Sequence, residues 1–501
     1  MLKKSYEDLQ AKENVRETLS FLRKEIKDAA KKQEFLQILG DDTRVLYDLL
    51  SQEDPKVRKN AALLLGDLQM QQAAELLLKA YNNETTLFVK SAYLIALGKL
   101  DISGFLPILK DRMEVLTEFS PKENEKKHID EEIRELNNMI TAAEGIRRHT
   151  FCGLKEPCEM VLTTRRAQRE VTVQEIKELT AQVRRKCSLH PLGVLVYTRD
   201  LSTIIQLRTF RELLFPLHPS EAIQKDPVRA AGTVWNSDVW QFLSSCHKEN
   251  GPFYFRLEIK SRMDLDKRTV FAKRFSAELE RQSGRKMINS TRDYEVEIRL
   301  LENRDGELLA FLKLYTIPIK RFAYRKHAIS ASIHPATAAM LVKLAQPYLK
   351  ENAQILDPFC GVGTMLIERD ILVPAKEKYG IDIFGEAIEG ARENAAAAGE
   401  RINFIHRDFF DFRHAYKFDE IISNMPVRGK QSREEMDRFY EKFFTTAAGF
   451  LAEDGVIILY SNEEGFVKKQ LRLRHDQYKL IKEVCIGERE HFYLYIIGIK
   501  G

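Results

Sequence analysis

Ile355-Leu356-Asp357-Pro358-Phe359-Cys360-Gly361-Val362-Gly363-Thr364-Met365-Leu366-Ile367-Glu368 is the stretch whose reading decides the fold. A short apolar run, an acid and a glycine-rich bend lead into a helical pattern. That is the order of a β-strand feeding a ligand-binding turn, with backbone N–H groups facing the ligand. No Gly-Lys-Ser/Thr follows, so the turn is not a P-loop, and Gly-x-Gly-Thr is shorter than a dinucleotide fingerprint. Such a glycine pair suits an ordinary tight turn equally well, so the segments around it carry the decision.

Residues 354–357, 379–383, 402–405, 418–423 and 456–460 read as short apolar strands, with helical stretches at 386–398, 432–452 and 463–473. A further helix, 335–349, precedes the first strand. The pattern predicts an open parallel sheet with helices on both faces, a Rossmann-like domain over residues 331–501. Residues 480–486 and 492–499, separated by Gly487-Glu488-Arg489-Glu490, read as an antiparallel closing hairpin that an ordinary nucleotide half-domain lacks. Four polar residues fall at or just after strand ends, where ligands bind in such sheets: Asp357, Asp382, Asp408 and Asn424. Asp382 stands where an acid would hydrogen-bond two vicinal ribose hydroxyls, and Asp408 where a carboxylate would accept from an adenine amino group. Each alone suits a cap or turn former; the four together point to a ligand crevice.

The 501 residues are enough for three or four domains, and 31% charged with 44% hydrophobic residues is ordinary for a globular protein. There is no long apolar run and Met1-Leu2-Lys3-Lys4-Ser5 is too polar for a signal peptide, so no membrane association and a cytoplasmic location are expected. Six cysteines without Cys-x-x-Cys spacing predict reduced thiols and no metal site. The net charge of +5 is unevenly placed: residues 251–330 carry 18 basic and 11 acidic side chains. A local basic excess suits either a polyanion-binding surface or a solvated face.

Residues 1–150 read as a helical repeat domain. Asp54-Pro55-Lys56-Val57 through Leu65-Gly66-Asp67-Leu68 recurs as Val89 through Leu97-Gly98-Lys99-Leu100, with Val57, Leu65 and Gly66 matching Val89, Leu97 and Gly98. Units of this kind bury their apolar faces only by stacking, so at least three are expected. They resemble HEAT repeats, with a protein or RNA as the possible partner. Residues 121–149, opening with Pro121, read as a charged helix.

Residues 151–330 alternate strands and helices. Strands are expected at 159–164, 193–197, 202–209, 253–259, 294–300 and 308–315, with helices at 171–186 and 265–281 and a turn at 303–307. This α+β order resembles a ferredoxin-like unit paired with a THUMP domain, an RNA-binding module; the closest piece is 255–262 with 289–299 behind it. Arg262, Lys267, Arg268, Lys273, Arg274, Arg285, Lys286, Lys320, Arg321, Arg325 and Lys326 are candidate phosphate contacts. In Ile319-Lys320-Arg321-Phe322-Ala323-Tyr324-Arg325-Lys326-His327 aromatics alternate with cations, which suits base stacking beside phosphate neutralisation or a strand facing a core.

Asp-Pro-Phe-Cys-Gly-Val-Gly-Thr, Gly-Ile-Asp-Ile (380–383), Ala391-Arg392-Glu393-Asn394 and Asn424-Met425-Pro426 together resemble the S-adenosylmethionine-dependent RNA methyltransferases that carry THUMP domains. The resemblance covers about residues 160–500 and excludes the repeats. It implies N2-methylguanosine in tRNA or rRNA as product. It also implies that Asp357, Gly361, Gly363 and Thr364 cradle the methionine end of the donor, with Asp382 on ribose and Asp408 near adenine. Cys360 lies in the same donor turn, with packing as its expected role. Asn424 and the Pro426 carbonyl would receive the target amine, and Arg428 the nearby RNA backbone. Family members commonly place an aromatic residue where Val427 stands; Phe322, Tyr324 or Phe359 are the available substitutes.

The sequence thus predicts a multidomain chain: HEAT-like repeats, a central α+β RNA-docking region and a class I methyltransferase domain. The expected activity is methyl transfer from S-adenosylmethionine to an exocyclic base amine of structured RNA, most readily guanine N2. An adenine amine in RNA or DNA is the alternative acceptor, since Asn-x-Pro serves both. A non-catalytic RNA-binding scaffold that retains donor binding is the other class of reading, suggested by Val427 and the repeats.

Overall fold

A computed structural model describes residues 1–40, 42–118, 122–144, 148–178, 187–249, 251–487 and 490–500. Pro121, the second half of the expected helix 171–186 and Glu488-Arg489 lie outside the described residues. The chain forms two compact units, Met1–Arg148 with Leu279–Ile288, and His149–Glu278 with Asn289–Gly501. No described helix is long and apolar enough to cross a membrane.

The first unit is helical. Its successive helices are Leu2–Ala11, Val15–Glu25, Ala29–Leu39, Arg44–Asp48, Pro55–Asp67, Ala74–Asn83, Leu87–Leu97, Leu106–Glu118 and Glu123–Glu144. Pro55–Asp67 starts where Asp54 accepts a hydrogen bond from the Lys56 N–H and proline occupies the first turn, a position where its missing N–H costs nothing. Val57, Leu65, Val89 and Leu97 are all buried, as their repeat positions demand. Gly66 shows why the repeat keeps a glycine: a Cβ there would lie 2.6 Å from the Ala96 Cα. Helices Pro55–Asp67 and Leu87–Leu97 therefore meet backbone to backbone.

The central part of the second unit is a mixed sheet. Cys187–His190, Gly193–Thr198, Cys158–Thr163, Leu213–Pro216, Leu308–Leu314, Val296–Glu302 and Phe253–Lys260 are neighbours in that order. Phe253–Lys260 runs parallel to Val296–Glu302, joined through helix Leu265–Gln282, and Val296–Glu302 turns back on Leu308–Leu314. The strand expected over 202–209 is instead a short helix, Leu201–Ile204, and a loop. Asp200 caps that helix by accepting from the Thr203 N–H, and this local bond overrides the β-branched run. Strands Cys187–His190 and Leu213–Pro216 and helices Pro227–Trp235 and Val239–Cys246 were not legible in the hydrophobic pattern.

The C-terminal sheet has seven strands: β1 Gln354–Asp357, β2 Glu377–Asp382, β3 Asn403–His406, β4 Phe418–Asn424, β5 Leu451–Ser461, β6 Tyr478–Gly487 and β7 Phe492–Ile499. Their order is β3-β2-β1-β4-β5-β7-β6, parallel except for β7, which runs antiparallel to both β5 and β6. Chain order reverses at β1, so a crevice opens at the C-terminal ends of β1 and β4. One face packs on Pro335–Ala345, Thr364–Leu372 and Gly385–Ala398, and the other on Arg433–Phe450 and Glu464–Leu473.

Inside this core lies an ion pair with both side chains fully buried: Arg369 donates from Nε and Nη2 to the two oxygens of Glu420 at 2.8 and 2.6 Å. Arg369 also donates to the Lys350 carbonyl at 2.7 Å, and Glu420 accepts from the Lys350 N–H at 2.8 Å. Removing one partner of such a pair leaves a buried charge, at a cost of about 3–5 kcal/mol. Arg369→Ala should lower the denaturation midpoint sharply, whereas Arg369→Met with Glu420→Leu should recover most of it. The readout is fluorescence of Trp235 and Trp240, the only tryptophans, both in this unit; a double variant as unstable as the single one would contradict the pairing.

Candidate active site

The glycine-rich turn closes on itself and on β2. The Gly363 N–H donates to the Cys360 carbonyl at 2.8 Å and the Cys360 N–H to the Ile381 carbonyl at 2.9 Å. Gly361, at φ +51°, has open space where a Cβ would stand and donates its N–H to Asp382 Oδ2 at 2.9 Å. Gly363, at φ +80°, would place a Cβ 2.8 Å from the Phe404 ring. One glycine thus leaves room for a ligand and the other admits the neighbouring strand. Cys360 is buried, its sulfur fills the space beside Gly380, and burial pushes its thiol pKa well up.

Thr364 opens helix Thr364–Leu372, and its Oγ1 is buried without a hydrogen-bond partner. An orphaned hydroxyl at a helix N-terminus, beside a vacant glycine, fits the polar methionine end of S-adenosylmethionine. Asp382 accepts from the Phe384 N–H on Oδ1 and from Gly361 on Oδ2, each at 2.9 Å, which fixes the carboxylate at the end of β2. Ile383 and Phe384 follow it, 57% and 63% exposed. This apolar surface beside a ribose-type acid suits an adenine ring, and the sequence reading missed it because two apolar residues after a strand read as buried. Asp408 is exposed and caps Phe409–Asp411 by accepting from the Phe410 N–H at 2.9 Å. That is the structural role open to it from sequence, and one oxygen remains for a ligand.

Asp357 is fully buried at the end of β1. Its Oδ1 accepts from Ser423 Oγ at 2.7 Å and from the Phe359 N–H at 3.1 Å. Ser423, also unforeseen, thereby ties the end of β1 to β4 one residue before Asn424. Asn424 is half-buried, and among the described residues no hydrogen bond engages its amide. The Met425 N–H donates to the Tyr460 carbonyl at 2.9 Å and Met425 is buried, which turns Pro426, Val427 and Arg428 outwards.

None of the three aromatics considered as a substitute at Val427 presents a free ring. Phe359 packs among Phe409, Phe439 and Phe443. Tyr324 is buried and donates to Glu368 at 2.6 Å. The Arg208 and Arg321 guanidinium groups lie over the Phe322 ring, 4.9 and 4.7 Å from its centre. Val427 itself is 55% exposed.

The basic candidates divide by environment. Arg321 leaves the set of RNA contacts, because its guanidinium is spent on the Leu207, Phe210 and Arg211 carbonyls. Arg262 donates to the Asn303 and Arg304 carbonyls and braces the turn after Val296–Glu302. Arg325 donates to the Ile333 carbonyl at 3.3 Å. Lys320, Lys326, Lys267, Lys273, Arg274 and Arg428 are exposed, and Arg268 is half-buried. No group of three potential metal ligands occurs among the described residues.

Asn394, quoted above only as part of a motif, is a clamp. Its Oδ1 accepts from the Lys326 and His327 N–H groups at 2.8 and 2.9 Å, and its Nδ2 donates to the His327 and Val362 carbonyls. The segment arriving from the central sheet is thus stitched to the glycine turn.

Burial, with a smaller contribution from Asp382, raises the Asp357 pKa to about 7. The folded value exceeds the unfolded one near 3.9, so the carboxyl favours the folded state at acid pH, and that contribution is lost as pH rises from about 4 through about 7. Asp357→Asn keeps the Oδ1 acceptor and removes the titration. The margin by which its melting temperature exceeds that of the wild type should grow from pH 5 to pH 8 when no donor is bound; a margin independent of pH would contradict the assignment.

Residues 323–490 match the family described as "RMKL-like, methyltransferase domain", and residues 43–115 match HEAT repeats. The tRNA (guanine(10)-N2)-dimethyltransferase of Methanothermobacter thermautotrophicus is 31% identical over 28% of this chain and 44% of its own length. The U6 snRNA (guanine-N(2))-methyltransferase THUMPD2 of Bos taurus is 27% identical over 30% of each chain. The chain therefore spans less than half the length of these two relatives. The crystal structure of TrmN from Thermus thermophilus superposes with a TM-score of 0.51 at 20% identity, over 68% of this chain and 99% of that one, which establishes a shared fold. The chain accordingly carries a stretch, residues 323–490, that matches the RMKL-like methyltransferase domain, beside a stretch, residues 43–115, that matches HEAT repeats.

Proposed function

We propose that the protein methylates an exocyclic base amine of structured RNA, with guanine N2 as the acceptor. The observation that carries this reading is the unengaged Asn424 amide at the end of β4, joined through Ser423 to the buried Asp357 of the donor turn. Asp357, Gly361, Gly363 and Thr364 hold the methionine end of S-adenosylmethionine, Asp382 the ribose and Asp408 the adenine. S-adenosylmethionine supplies an activated methyl group on a sulfonium, so the protein need only bind and position.

The lone pair of an aryl amine is delocalised into its ring. Asn424 Oδ1 and the Pro426 carbonyl accept from the two N–H groups, draw the nitrogen towards sp³ geometry and aim its lone pair at the donor. Both acceptors are fixed by backbone: Asn424 pairs with Tyr460 in the sheet, and Met425 is anchored in the core. The exposed cations of helix Leu265–Gln282, with Lys320, Lys326 and Arg428, grip the RNA through its phosphates. The N-terminal repeats supply a further surface for a protein or RNA partner. The relatives named for guanine-N2 transfer support guanine as the acceptor, and the exposed Val427 favours the non-catalytic alternative.

The test uses tritiated S-adenosylmethionine with undermodified total RNA and nucleoside analysis. Label in N2-methylguanosine is expected; label in methyladenosine moves the acceptor, and donor binding without label supports the scaffold. Asn424→Ala should keep donor affinity within about twofold and lower turnover by about 10²–10³, the usual cost of losing one transition-state hydrogen-bond partner. Turnover near wild type would remove Asn424 from the mechanism.

A further inference from the structure

Two arginines on the segment that enters the methyltransferase sheet are half-buried or more, and among the described residues no carboxylate lies within ion-pair distance of either. Arg321 donates only to backbone carbonyls, including Phe210 at 2.8 Å and Arg211 at 3.0 Å, and its guanidinium lies 3.5 Å from the Phe210 ring centre. Burial lowers its pKa to about 9. Arg325 donates to the Ile333 carbonyl, while its Nε is buried with no partner. A third arginine, Arg211, is exposed, and among the described residues no acid lies within ion-pair distance of it. Its backbone is fixed at both ends: the N–H donates to the Thr163 carbonyl at 2.8 Å and the carbonyl accepts from Arg321.

The acids nearby are already engaged. Glu368 forms a two-pronged pair with Arg208 at 2.8 Å. Glu212 binds Arg299 and Lys313. Glu175 accepts from the Arg208 and Thr209 N–H groups and from the Thr209 hydroxyl. Arg165 reaches Glu490 at 3.2 Å.

Two side chains register the resulting field. His334, whose ring lies 6.3 Å from that of Phe322, has its pKa lowered to about 4 by burial and by Arg211, Arg325 and Arg321, with Glu212 opposing. Burial raises the Tyr460 pKa, and Arg165 and Arg211 act against that rise while Glu490 adds to it. Tyr460 is the β5 residue opposite Asn424, and Arg211 is among the charges that act on it. Cations withdrawn from water are ordinarily paired, and a guanidinium fork matches a phosphate.

We propose that Arg211 and Arg325, in the field of Arg321, form a phosphate subsite that holds the backbone of the acceptor RNA beside the target nucleotide. The inference rests on the proposed RNA reading. It supplies through charge the hold on the acceptor strand that Val427 cannot supply through stacking.

The test measures binding of an unmodified tRNA transcript by fluorescence anisotropy across a salt series, with wild type, Arg211→Ala, Arg211→Lys and Arg325→Gln. Arg211 is exposed, so its variants keep the fold. Arg211→Ala should reduce the slope of log affinity against log salt by about one and weaken binding at every salt concentration, while Arg211→Lys retains the slope. Titration with S-adenosylmethionine should give wild-type affinity for both. A wild-type slope in Arg211→Ala overturns the subsite. So does a loss of donor affinity in place of RNA affinity, which would make the donor's carboxylate the anion, and so does a wild-type protein that binds no RNA. Methyl transfer by wild type, assayed alongside, separates the two claims. A reduced slope without transfer leaves the subsite standing and removes the reaction; transfer with an unchanged slope does the reverse.

Discussion

Three consecutive charged residues, Glu368-Arg369-Asp370, hold the helix that begins at the donor turn, and the rest of the C-terminal half depends on them. All three are buried. Each pairs with a different element: Glu368 with Arg208 of the central region, Arg369 with Glu420 of β4, and Asp370 with Lys378 of β2. Glu420 lies four residues before Asn424, and Lys378 four residues before Asp382. One helix thereby sets the glycine turn against the strand ends that carry Asp382 and Asn424. Buried pairs of this kind add little net stability over an apolar core. What they impose here is register, because a sliding helix would leave three charges unpaired at once.

The parts legible in the sequence were those fixed by local chemistry. A glycine-rich turn after an apolar run identifies β1, since few residues tolerate φ +80° and fewer still the approach of Phe404. The strand-end acids followed from alternating apolar runs and helical stretches. What stayed hidden depends on partners remote in sequence. Glu368, Arg369 and Asp370 look like solvated helix charges; only Arg208, 160 residues away from Glu368, shows otherwise. Arg321 looked like a phosphate ligand for the same reason, until three carbonyls from residues 207–211 closed around it. Ser423 gave no signal, since a serine between an apolar strand and Asn-Met-Pro suits a turn as well as a buried donor to Asp357.

The repeats show a different limit. Gly98 caps the end of Leu87–Leu97, whereas Gly66 lies inside Pro55–Asp67. Its requirement is steric, from the Ala96 backbone of the following repeat. A glycine that lowers helix propensity by about 1 kcal/mol is retained because the contact admits nothing larger. Sequence periodicity found the glycine; only the packing supplied its reason.

The order of strands along the crevice has a chemical consequence. From β3 through β2 and β1 to β4, the strand ends present Asp408, then Asp382 with Ile383 and Phe384, then the glycine turn, then Asn424. On the proposed reading, adenine, ribose, methionine and target amine lie along one line, and each lies against the residue type that suits it. Anything attached to the target base must extend beyond β4, because the opposite direction is filled by the donor. That side holds the exposed Val427 and Arg428. An acceptor arriving there meets positive charge and little apolar area, which matches a polyanion better than an uncharged side chain.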